Sequence, residues 1–110
     1  MNGITKAARE VLAERQRQIE QEGYEPENDD RYGLDAELPR AAASYILQDL
    51  GVPVLMPHIP ALQHTCLWPW PPQFWKPKDE RRNLVRAAAL ILAELERMDR
   101  ASGDTPEGGA

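Results

Sequence analysis

Residues 51–78 constrain the fold more than any other part of the chain. They hold seven of its ten prolines, all three tryptophans, the only phenylalanine, both histidines and the only cysteine. Proline has no amide hydrogen and its ring fixes φ, so this density forbids both a continuous helix and a central strand. Yet Val54, Leu55, Met56, Ile59, Leu62, Trp68, Trp70, Phe74 and Trp75 make the stretch too apolar for a solvated linker. An ordered loop packed on helices is expected, and long ordered loops in compact domains often carry function.

The flanking sequence has helical periodicity. Thr5 can cap a first helix running to about Glu22, with Gly23 as its stop. Ile4, Ala8, Val11, Leu12 and Ile19 recur at helical spacing and are expected to form its core face. Arg15 interrupts that face, so it either snorkels to the edge or meets an anion inside. Residues 24–35 read as a loop, and residues 20–37 hold eight carboxylates against one arginine, a local charge of −7. A second helix begins near Leu38-Pro39, presents Leu38, Ala42, Tyr45, Ile46 and Leu50, and ends at Gly51. A third runs from about Asp79 to Arg100, and its apolar stretch at residues 84–93 marks it as the central helix. The expected architecture is all-α: a single domain over residues 1–100, three main helices with the long loop between the second and third, and a disordered tail at 101–110. Three helices cannot cover the third from every side, which predicts a homo-oligomer.

Charge and cysteine usage narrow the function. The net charge of −5 opposes broad contact with a nucleic-acid backbone, whose phosphates require Lys and Arg. A lone cysteine, Cys66, allows no intramolecular disulfide, the opening residues lack the apolar run of a secretory signal, and residues 87–93 are too few to span a bilayer. A reducing cytoplasm, with no membrane partner, is the expectation.

One constellation joins aromatic and basic residues: Trp68, Trp70 and Trp75, then Lys76, Lys78, Arg81, Arg82 and Arg86. From Lys76 to Arg86 five basic residues face two acids, a local +3 in an acidic chain. A nucleobase needs a flat surface to stack on and its phosphate needs cationic donors near a helix start. These residues, with Arg15 and Tyr24, form the expected site for a small nucleotide-like ligand, without cofactor or catalytic group. The competing expectation is that the tryptophans plug the core while Arg81 and Arg82 pair with the acidic loop. A second constellation is carboxylate: Glu10 and Glu14 lie four apart, Glu96 and Asp99 three apart, so each pair shares a helix face and could grip magnesium. His58, His64 and Cys66 fall within nine residues but match no established zinc spacing.

Glu96-Arg97-Met98-Asp99 is similar to the Glu-x-x-Asp helix of the MazG-like all-α nucleoside triphosphate pyrophosphatases, which pair it with a Glu-x-x-Glu-Glu helix around magnesium. The chain has no Glu-x-x-Glu-Glu. This partial resemblance implies an alternative function, a magnesium-dependent nucleotide pyrophosphohydrolase using Glu10, Glu14, Glu96 and Asp99. Over most of residues 12–97 the chain resembles a group of short, uncharacterised helical proteins of bacteriophages and prophages. The resembling residues include Glu22-Gly23-Tyr24, Pro26-Glu27-Asn28-Asp29-Asp30, Trp68-Pro69-Trp70, Trp75-Lys76-Pro77 and the run from Arg81 to Arg97. Members often have histidine at the position of Asn28. The resemblance implies a phage accessory protein in an infected bacterium, a class that includes sponges for nucleotide-derived defence signals. A protein-binding inhibitor of a host factor is a further alternative.

Overall fold

The computed structural model describes residues 3–23, 26 and 36–103. Three α-helices occur there and no strand: α1 (Lys6–Gln21), α2 (Glu37–Asp49) and α3 (Glu80–Ala101). Most of the acidic loop, Tyr24 included, and the tail from residue 104 lie outside the described residues.

The helix ends follow local chemistry. Thr5 accepts a hydrogen bond from the Ala8 amide at the start of α1, and Asp79 accepts one from the Arg82 amide at the start of α3. Gly51, just past α2, adopts φ +73°, a left-handed turn that costs glycine little. At the start of α2 no side chain caps the helix and Ala36 itself takes φ 55°. No described helix is long and apolar enough to cross a membrane.

α3 is the central helix, and both α2 and α1 pack on it. The core lies between α2 and α3, where Leu38, Ala41, Ala42 and Tyr45 meet Ala87, Leu90 and Ala93. Alanine at so many contact positions lets the two backbones approach closely and leaves a gap beside them. Trp68, with no exposed surface, fills it. Its ring meets Tyr45 edge-on at 5.7 Å and Trp70 edge-on at 5.2 Å, while Trp75 stacks on Tyr45 at 4.8 Å.

The proline-rich segment is ordered, as its composition predicts, and contains two 3-10 turns, Pro60–Thr65 and Pro72–Phe74. Its carbonyls are held by side chains in place of a ladder. Arg40 of α2 donates to the Gln63 and Cys66 carbonyls, and Arg86 of α3 donates to that of Lys76. Buried Asn83 accepts from the Lys78 amide at 2.7 Å and donates to Asp49 at 2.8 Å, fastening the end of the loop to both helices.

Two expected core faces differ. On α1, Ile4, Ala8 and Leu12 are exposed and the buried side chains are Glu14, Arg15 and Gln18. On α2, Ile46 and Leu50 are exposed and Ala41 and Ser44 are buried instead. In both cases the partner surface chose the face: α3 offers guanidinium groups to α1 and alanines to α2.

Candidate functional site

Along α1, Glu10, Glu14, Gln18 and Glu22 stand four residues apart, a spacing that aligns them on one face. Each meets a group from α3 or from the loop that leads into it. Glu10 accepts from Arg81, Glu14 from Arg82, the Gln18 amide donates to the Arg86 carbonyl, and Glu22 accepts from Lys76 at 3.3 Å. The contact between α1 and α3 is thus a polar seam, with Arg15 adding a bond to Glu96 at 3.1 Å.

Glu14 is its centre. The residue is 1% exposed, and its two oxygens accept a forked pair of bonds from Arg17 at 2.8 and 2.7 Å. Gln18 donates to it at 3.3 Å, and Arg86 Nε stands 4.0 Å away. Burial pushes its carboxyl upward, but the Arg17 hydrogen bond and the charges of Arg17, Arg82 and Arg86 outweigh that and hold it below the ordinary value of 4.5. Glu10 is also lowered, first by its hydrogen bond from Arg81. Arg86 Nε is buried without a hydrogen-bond acceptor among the described residues. Its guanidinium also lies 5.9 Å from the centre of the Tyr45 ring, which links the seam to the aromatic cluster.

The seam assembles most of the basic residues expected to bind ligand: Lys76, Arg81, Arg82, Arg86 and Arg15. Among the described residues their counterions are on α1, at its C-cap Glu22 and on α3; the acidic loop, the other expected partner, lies mostly outside the described residues. Lys78 is exposed and engages Asn83 through its backbone. The tryptophans divide. Trp68, expected to offer a stacking surface, has no free face because the space between α2 and α3 needs its whole ring. Trp70 and Trp75 are only partly buried. Tyr24 lies outside the described residues.

The alternative magnesium set is not brought together. Glu10, Glu14 and Glu96 each accept from an arginine, Asp99 is exposed at the far end of α3, and the described residues contain no cluster of three or more metal-ligating side chains. His58 and His64 are exposed while Cys66 is buried. Arg17, Gln18 and Glu22 are the seam members the sequence reading missed. The four-residue spacing from Glu10 to Glu22 was the available signal, masked by the apolar residues beside it.

Among the described residues, the ion-paired groups of the seam are six cations, Arg15, Arg17, Lys76, Arg81, Arg82 and Arg86, and four carboxylates, Glu10, Glu14, Glu22 and Glu96, a surplus of two positive charges. Chemically, such a row is a set of arginine forks already engaged by carboxylates, the group whose place a phosphate could take. No protein-family model matches the chain, and no curated protein or solved structure is significantly similar to it.

Proposed function

We propose that the chain is a phage accessory protein that binds a small phosphorylated, nucleotide-derived ligand without altering it, as a homo-oligomer in the cytoplasm of the infected bacterium. The observation that carries this reading is the surplus of two positive charges among the described ion-paired residues of the α1–α3 seam, in a chain whose net charge is −5. A phosphomonoester carries a charge of about −1.5 to −2 at neutral pH, which matches that surplus. Arginine forks suit its planar pairs of oxygens.

Lys76 and Arg81, the most exposed cations of the seam, meet the ligand first, and Arg82 and Arg17 follow. Arg86 and Arg15 are buried and set the field from behind. Trp75, adjacent to Lys76 in sequence and stacked on Tyr45, offers its remaining face to a base, and Trp70 is the second candidate. Trp68 acts by holding both rings in place.

Thermal denaturation in the presence of linear and cyclic nucleotides and ADP-ribose derivatives tests the reading. A ligand at 100 times its Kd raises stability by about 2.7 kcal/mol. Arg82→Ala should remove that shift, and heat should release the ligand unchanged. A panel without any shift overturns the proposal. Pyrophosphate released from a nucleoside triphosphate in magnesium replaces it with the hydrolase alternative.

A further inference from the structure

The outward face of α3 carries Leu84, Ala88, Ile91, Leu95 and Met98, and the four larger side chains are each 44–51% exposed. Successive steps along it are four, three, four and three residues, the spacing of a coiled-coil seam. At 1.5 Å per residue the line runs for about 21 Å. Single exposed apolar residues are ordinary on a monomer, but an unbroken line on the central helix marks a contact surface.

We infer that a second copy of this chain covers that face, the two α3 helices packing antiparallel about a two-fold axis near Ile91. Charge complementarity argues for this occupant and this direction. Arg81 and Asp99 are eighteen residues apart, five full turns, so they flank the stripe on the same side. Both are exposed; Arg81 also holds Glu10 of its own copy, and Asp99 makes no ion pair among the described residues. Antiparallel pairing sets Arg81 of each copy beside Asp99 of the other. Parallel pairing would gather like charges at each end and align the helix dipoles.

The same register lays Leu84 of one copy near Met98 of the other and Ala88 near Leu95, with Ile91 facing its own copy. The patch is therefore self-complementary, as a two-fold interface must be. Arg82 and Arg86 project from the opposite side of α3, because each residue turns the helix by about 100°. The dimer specifies the assembly within the proposed function, leaves Arg82 and Arg86 of the polar seam outside the contact, and its test needs no ligand.

Sedimentation equilibrium of the full chain should show a dimer. Leu95→Glu should make it monomeric while far-ultraviolet ellipticity and tryptophan fluorescence stay unchanged; Met98→Glu, nearer the helix end, serves if the first variant does not fold. Single cysteines then read direction, since a disulfide requires Cα atoms within about 7 Å. Upon oxidation Ile91→Cys should crosslink to itself, and Leu84→Cys should crosslink to Met98→Cys but not to itself. Efficient self-crosslinking of Leu84→Cys overturns the antiparallel arrangement. A wild-type chain that stays monomeric at the highest soluble concentration overturns the inference entirely.

Discussion

The contact of α3 with α2 is made of alanines, leucines and aromatic rings, whereas its contact with α1 is made of carboxylates and guanidinium groups. The first is stabilised by removing apolar surface from water, which is non-directional and nearly independent of pH and salt. The second depends on each buried charge keeping its partners, because an isolated charge in a low-dielectric interior costs several kcal/mol. A row of apolar residues would hold α1 in place at least as well. The polarity of the seam therefore adds no stability that an apolar contact would lack; in the proposed function it serves to bind an anion.

The comparison can be broken most directly at Trp68. Trp68→Ala should cost about 3–5 kcal/mol in urea denaturation, a large share of the 5–15 kcal/mol typical of a domain. A loss below about 1 kcal/mol would mean that the aromatic cluster is not the core. Glu14→Gln should cost about 3 kcal/mol, because it leaves Arg17, Arg82 and Arg86 around a neutral group. Adding Arg82→Met to that variant should return part of the loss, since the second change removes one of the stranded charges.

Acid should separate the two contacts further. Glu14 and Glu10 have folded pKa values below their ordinary 4.5, so their contribution is present above that value and is lost as pH falls through the lowered ones. Stability measured between pH 7 and pH 2 should be flat until the ordinary carboxylate range and then decline. The decline should be shallower in Glu14→Gln and unchanged in slope for a conservative substitution of Leu90 in the apolar contact. The smallest effect belongs to the rim. Lys76→Ala removes a half-exposed partner of Glu22 and should cost about 0.2–1 kcal/mol while still weakening any phosphate-dependent thermal shift.

The helices and the ordered loop were legible because their signals are local. Thr5 and Asp79 fix helix starts by their own hydroxyl and carboxylate, and the prolines of residues 51–78 remove amide donors whatever surrounds them. The face each helix buries was less legible. On α1 the apolar spacing of Ile4, Ala8 and Leu12 competes with the four-residue spacing of Glu10, Glu14 and Gln18, and periodicity alone favours the apolar one. The arginines of α3 reverse the choice by supplying partners that make burial of the polar face tolerable. The candidate site followed the same division: its cations were visible as a cluster, but their counterions on α1 were not, because they lie some seventy residues away in sequence.

By itself, then, the sequence determined an all-α chain with a central apolar helix and an ordered aromatic loop, since caps, prolines and hydrophobic spacing act within a few residues. Only the tertiary structure decided that Trp68 fills the core, that α1 turns its charges inward, and that one face of α3 stays open. Those outcomes depend on which surfaces meet, and a buried charge or a buried indole is stable only where the opposing surface supplies its partner or its space.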